Sequence, residues 1–242
     1  MNRAIRIGTA GWSIPPQYRD AFSEEGTHLQ RYARRFDAVE INSSFYRPHQ
    51  PKTYARWAAD VPDHFRFAVK MPKEITHVRR LAGACDPLEA FIGQVQALGE
   101  KLGPLLVQLP PSFAFSSEVA GSFLNALRIR FDGLVALEPR HASWFTADVD
   151  RLLSDYHVAR VGADPACVPA AADPGGWSGL VYIRLHGSPH VYYSAYEDAD
   201  LDARARILQA AAERNAACWC ILDNTARGAA ANDAIALLRK LV

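Results

Sequence analysis

No stretch of this sequence approaches the roughly 20 consecutive apolar residues that a membrane-spanning helix requires, so no membrane partner is expected. Neither sign of charge predominates: 27 Lys and Arg against 26 Asp and Glu leave a net charge of +1. That balance argues against extended contact with duplex nucleic acid. Cysteine is scarce, four residues in 242, with no disulfide-rich pattern. A charged-then-apolar leader is also missing, because Ile5 and Ile7 open an alternating pattern almost at once. These absences together lead us to expect a cytoplasmic protein. With no internal repeat and no linker, residues 1–242 are expected to form one domain.

What is present is a folded composition, 49% hydrophobic and 22% charged. Short β-branched or apolar runs alternate with longer segments of helical period, the pattern of βα units on a parallel sheet. Eight strands are expected: Ile5 to Ala10, Ala38 to Asn42, Phe65 to Lys70, Leu105 to Leu109, Leu134 to Glu138, Val158 to Asp164, Leu180 to His186 and Cys218 to Asp223. Helices are expected over Thr27 to Arg35, Lys52 to Asp60, Pro87 to Leu102, Ser117 to Arg130, Thr146 to Tyr156, Leu201 to Asn215 and Gly228 to Leu241. Between strands six and seven, Pro165 to Gly179 is rich in Pro, Ala and Gly, so the sixth helix is expected to be short or replaced by a loop. Eight units most economically close into an α/β TIM-type (β/α)8 barrel; a doubly wound open sheet is the competing fold.

Polar residues collect at the carboxyl ends of these strands, where both folds place their sites. Side chains alternate along a strand, which assigns Glu40 with Asn42 to one face and Arg184 with His186 to another. Lys70, Gln108, Glu138, Arg140 and Asp164 complete the expected lumenal set, and either Asp223 or Asn224 could point inward on strand eight. Trp12, Tyr46 and Trp144 lie in the following loops and could stack on a ligand. The competing reading is a ring of paired ions that plugs the barrel and does nothing more.

Phrases at the same strand ends resemble the DUF72, or YecE-like, proteins of unknown function. They are Gly8-Thr9-Ala10-Gly11-Trp12, Glu40-Ile41-Asn42-Ser43-Ser44-Phe45-Tyr46, Phe67-Ala68-Val69-Lys70 and Gln108-Leu109-Pro110-Pro111. Glu138-Pro139-Arg140-His141-Ala142-Ser143-Trp144, Tyr182-Ile183-Arg184-Leu185-His186-Gly187 and Asp223-Asn224-Thr225 continue the series. The resemblance implies a TIM-type barrel similar to those of endonuclease IV and xylose isomerase, with no settled activity. Leu222-Asp223-Asn224 departs from the Phe-Asn-Asn expected at that place.

For chemistry, Glu40 or Glu138 is the expected general acid or base and His186 the proton carrier, with Lys70, Arg140 and Arg184 as an electrostatic clamp. Asn42, Gln108, Asp164, Asn224, Trp12, Tyr46 and Trp144 are expected to help bind substrate. The expected ligand is a small phosphate-bearing or otherwise anionic molecule, and the expected reaction a hydrolysis or lyase step. The Asn224 to Gly228 turn into the last helix adds backbone N–H groups suited to an anion. A non-catalytic nucleotide or nucleic-acid binding module is the alternative. A catalytic divalent metal is open but not favoured, because too few histidines reach strand ends.

Overall fold

The computed structural model describes residues 5–241. Eight parallel strand positions surround a lumen, with helices outside. They are β1 (Ile5–Thr9), β2 (Ala38–Ile41), β3 (Arg66–Lys70), β4 (Leu102–Gln108) and β5 (Val135–Glu138), then β6 (Val158–Arg160) with β7 (Gly162–Asp164), then β9 (Leu180–Leu185) and β10 (Ala217–Leu222). β6 and β7 are one strand broken at Val161. The first half pairs with β5 and the second with β9, handing the chain from one side of the barrel to the other. A two-residue strand, β8 (Gly175–Gly176), pairs antiparallel with β6.

The second seam, between β1 and β2, carries no continuous ladder; Ala10 bridges Glu40 at its upper end. Below that bridge the Tyr32 hydroxyl fills the gap, accepting from the Thr9 N–H at 2.8 Å and donating to the Ala38 carbonyl at 3.0 Å. Gly8 is required there, since a Cβ on it would lie 2.2 Å from the Ala38 oxygen. Burial strongly raises the Tyr32 phenol, against hydrogen bonds from Thr9 that pull it down, which keeps the hydroxyl protonated.

Outside the strands run α1 (His28–Ala33), α2 (Pro51–Ala59), α3 (Cys85–Val95), α4 (Ser117–Arg130), α5 (Ala147–Asp155), α6 (Asp198–Glu213) and α7 (Ala229–Lys240). The Thr27 and Gln30 side chains form a reciprocal capping box at α1, and Ser116 caps α4. No helix follows β7: the segment holds only a 3₁₀ turn at Pro169–Ala171 and β8. Buried Arg160 pins it, donating to both Asp150 carboxylate oxygens and to the carbonyls of Ala170 and Asp173.

The third helix ends at Val95, earlier than its apolar period implies, and continues as a 3₁₀ stretch, Gln96–Lys101, in which Gly99 takes φ +57° and turns the chain. Gly103 and Pro104, which directly follow the expected end of that helix at Leu102, lie inside β4, where the pairing with β3 shifts register. Proline lacks the ladder N–H and is tolerated at such a shift.

The apolar interior has two layers. One lies between strands and helices, and the other, inside the barrel, comprises Ala38, Ala68, Leu106, Ala136, Ala159, Val161, Leu180, Tyr182, Trp219 and Ile221. Alanines on β2, β3, β5 and β6 leave room for Tyr182 and Trp219, whose rings stack 6.2 Å apart at 8°. This packed floor puts everything above it at the carboxyl end of the strands. Among the described residues, no helix is long and apolar enough to cross a membrane.

Candidate functional site

Arg184 occupies the centre of the barrel mouth and is 0% exposed. Its Nε and Nη2 grip both oxygens of Glu40 at 3.1 and 2.8 Å, Nη1 donates to Glu138 at 2.7 Å, and Nη2 also reaches Asp223 at 3.1 Å. The planar fork suits this role, since one guanidinium satisfies several carboxylate oxygens at fixed angles. Tyr182 donates to Glu40 at 2.8 Å from the floor below. Arg184 is therefore spent on the protein and holds no part of itself for a ligand.

Glu138 is equally occupied. Gln108 donates to one oxygen at 2.9 Å, and Arg140 donates twice to the other at 3.0 and 2.8 Å. Burial alone would raise its carboxyl, but Arg184, His186 and Arg140 overcome that and hold it well below the usual carboxylate range. The same contest lowers Asp223, with burial opposed chiefly by Arg184 and by the His186 hydrogen bond. A general base needs a free lone pair and an affinity for protons near the working pH. Glu138 has neither, so its place is that of an anchor for Arg184, Arg140 and His186.

His186 stands between two carboxylates, with Nδ1 3.0 Å from Asp223 and Nε2 3.1 Å from Glu138. Lys70 is different in kind. It is 8% exposed, its Nζ lies 4.2 Å from the centre of the Phe45 ring, and that ammonium makes no hydrogen bond or ion pair among the described residues, although the Lys70 carbonyl accepts from the Ser44 hydroxyl at 2.6 Å. Burial, reinforced by Arg184, pushes its ammonium down to about 8 against the pull of Glu40, Glu138 and Asp223. His77 shares the Phe45 ring, 4.9 Å away edge-on, and is lowered by burial and by the positive charges of Lys70 and Arg140.

A cleft of about 270 Å³ opens beside this network, lined by Glu138, Arg140, His186, Pro165, Cys167 and Val191 among others. Tyr192 covers His186 edge-on at 6.2 Å. Reasoning from sequence passed over His77, which sits in a single π-helical turn, Glu74–Val78, after β3. An isolated histidine in an irregular turn leaves no periodic signature. It also gave Cys167, exposed on the loop that replaces the sixth helix, no place in the site.

Several expected site residues lie elsewhere. Trp144 is 0% exposed, with its indole N–H bonded to the Phe113 carbonyl at 2.9 Å and its ring against Phe115; it packs the core. Asp164 turns outward to Tyr196 at 3.0 Å and Arg204 at 3.2 Å, because Val161 and Ala163 take the lumenal positions of that strand. Asp223 faces the lumen, and Asn224 turns away to the Ser194 carbonyl and Asp233. The turn that follows is closed by Gly228 at φ +80° beside α7, with the Asn224 carbonyl accepting from Ala230. Asn42 leaves the alternation of β2, since the chain has already turned helical there, with φ −92° and ψ −22°. Trp12 packs edge-on against Trp57 at 5.0 Å, and Tyr46 is 74% exposed on the rim beside Phe45.

Among the described residues, no group of three or more His, Cys, Asp and Glu is placed to hold a metal ion. Arginine and histidine donors take up the carboxylate oxygens that would face one.

The chain resembles UPF0759 protein YecE of Escherichia coli (strain K12), 32% identical over 173 residues, which is 69% of this chain and 61% of that protein. The match thus spans about three-fifths of that relative's length. A DUF72 family protein from Enterococcus faecalis V583 has the same fold, with a TM-score of 0.83 at 21% identity over 98% of this chain and 95% of that one. So has one from Thermotoga maritima MSB8, with a TM-score of 0.80 at 24% identity over 98% of both. Residues 6–242 match the family described as "Protein of unknown function DUF72", and the chain belongs to that family.

Proposed function

We propose that the protein is an enzyme of hydrolase or lyase type acting on a small phosphate-bearing or otherwise anionic molecule bound in the barrel mouth. The observation that carries this reading is a pair of cations left over at the carboxyl ends of the strands, Arg140 in the wall of the cleft and Lys70 at the end of β3. Lys70 has no anionic partner within ion-pair distance among the described residues, and Arg140 is half-buried with one nitrogen, Nη1, outside its contacts to Glu138 and His186. The remaining charges satisfy one another, so a bound anion would meet these two without dismantling the network.

Glu40, Glu138, Arg184 and Asp223 then serve as a rigid frame, and proton transfer falls to His186 and His77. Placed on strands and already hydrogen-bonded, the frame pays little reorganisation when charge develops nearby.

Calorimetric titration with inorganic phosphate, and with small phosphate monoesters, tests the anion site. Binding should weaken at least tenfold in Arg140→Met, about 1.4 kcal/mol. Absence of binding at millimolar concentration, or binding indifferent to Arg140, would remove the reading. A second reading, a nucleotide or nucleic-acid binding module without turnover, draws on the rim, where Tyr46, Tyr192 and Tyr193 are exposed and Arg227 lies over Tyr193 at 5.6 Å. Nucleotide binding that persists without any conversion would favour it.

A further inference from the structure

We propose that Lys70 is an amine nucleophile that condenses with the aldehyde or ketone carbonyl of an anionic ligand, forming an imine in the barrel mouth. The inference rests on the reading of the mouth as a small-anion site and names the reactive group such a ligand carries.

Lysine is rare in this chain. Of 27 basic residues only Lys52, Lys70, Lys73, Lys101 and Lys240 are lysines, and the rest are arginine. Lys101 is held by the carbonyls of Ala58 and Val61, Lys240 by Asp198 and Asp202, and Lys52 and Lys73 are exposed. Lys70 alone projects into the barrel. An arginine could supply charge there, as Arg184 does, but a guanidinium stays protonated and does not attack carbonyl carbon.

The surroundings suit an amine that gives up its proton. Three carboxylates, Glu40, Glu138 and Asp223, act on Lys70 electrostatically, yet each is turned to Arg184, with Arg140, Tyr182, Gln108 and His186 as further donors. None comes within ion-pair distance of the Lys70 ammonium. Nor is its Nζ sealed in: among the described residues, the unpartnered polar side-chain atoms closed off from solvent are Asn42 Oδ1, Tyr54 OH, Gln94 Oε1, Arg204 Nε and Asn224 Oδ1. The small exposure of Lys70 therefore includes the amine. Burial and Arg184 bring its proton affinity down to about 8, so a useful fraction is free base near neutrality.

The chemistry balances without any further reagent. The amine lone pair bonds to the carbonyl carbon, the carbonyl π pair takes a proton, and nitrogen loses one, giving a carbinolamine. Protonation of its hydroxyl releases water as the nitrogen lone pair forms the C=N bond. His77, whose Nδ1 faces the Thr76 hydroxyl at 2.8 Å, packs on the Phe45 ring that Lys70 also faces, and these protons are assigned to it. Arg140 remains for the ligand's anionic end.

Incubation with D-glyceraldehyde 3-phosphate and sodium cyanoborohydride tests the step, since hydride delivered to the imine carbon leaves a stable secondary amine. Intact mass and peptide mapping should show one adduct on Lys70, at least tenfold more occupied than Lys52 or Lys73, and lost in Lys70→Met. Label on Lys52 and Lys73 with none on Lys70 in the wild-type chain overturns the proposal, whether or not the variant folds. Glyceraldehyde and inorganic phosphate separate the two readings. Lys70 labelled equally by glyceraldehyde, without competition from phosphate, keeps the imine and sinks the anion site. Phosphate binding with no label on Lys70 keeps the anion site and sinks the imine.

Discussion

His186 Nε2 lies 3.1 Å from Glu138 Oε1 and 3.1 Å from Arg140 Nη2, an acceptor and a donor at one nitrogen. A ring protonated there donates to Glu138, and one with a lone pair there accepts from Arg140. Nδ1 faces Asp223 in both cases. The ring therefore has a hydrogen-bonded arrangement for either proton count, which is what a proton carrier needs.

Arg140→Met deletes the donor while leaving both carboxylates, so the one hydrogen bond left to Nε2 is the one it donates to Glu138. Nitrogen shifts of His186 by NMR should show Nε2 as the donating nitrogen in the variant. A bare lone pair at Nε2 there would refute the two-partner account.

Arg184→Met leaves Glu40, Glu138 and Asp223 facing one another without their common partner. Breaking a buried ion cluster from one side costs about 3–5 kcal/mol, and urea unfolding should register a loss of that order. Arg184→Lys should recover little, because a single ammonium cannot span both oxygens of Glu40 while also reaching Glu138 and Asp223.

Glu138 and Asp223 are both held below their ordinary values in the folded protein. For such groups the unfolded chain binds more protons, so their stabilisation is whole above the unfolded carboxylate range near about 4 and is lost as pH falls from there through the folded values. Thermal stability should thus drop on the acid side. Glu138→Gln, less stable at pH 7, should show a shallower acid decline, and an equal slope in both proteins would contradict the assignment.

Parity along the strands carried much of the site into the sequence. Glu40, Glu138, Arg184 and His186 fall where alternation puts them. The same counting from Trp219 and Ile221 would have turned Asp223 inward and Asn224 outward, and from Val161 would have turned Asp164 away. Parity failed at Asn42 because the strand stops one residue earlier. Trp144 and His77 were illegible for another reason: both sit in irregular loops, where no period says which way a side chain points. The eight-unit barrel was legible because each strand and helix carries its own pattern, whereas the Tyr32 plug between β1 and β2 depends on two distant elements meeting.

That plug gives its own test. Tyr32→Phe keeps the ring and removes the hydroxyl, leaving the buried Thr9 N–H and Ala38 carbonyl without their bridge. An unmet buried polar group costs about 1–3 kcal/mol, and amide exchange at Thr9 should accelerate along with the global loss. Slower or unchanged exchange at Thr9 would mean that the hydroxyl does not close the seam.

Lys70 is a cost to the fold at neutral pH. Its proton affinity falls from 10.5 unfolded to about 8 folded, so between those values the unfolded chain holds the extra proton and stability rises with pH. Below about 8 the penalty is fully present, on the order of 3 kcal/mol at 1.36 kcal/mol for each pH unit. Lys70→Met removes the buried ammonium and fills its volume with an apolar chain. The variant should be the more stable protein at pH 7, and its advantage should shrink as pH approaches 10.5. The difference between the two denaturation curves across pH reads the loss of this group together with the smaller responses of His77 and Asp223, which feel its charge. A variant less stable than wild type at every pH would mean that the three carboxylates need the Lys70 charge to hold the mouth together, and its ammonium would then belong to the frame.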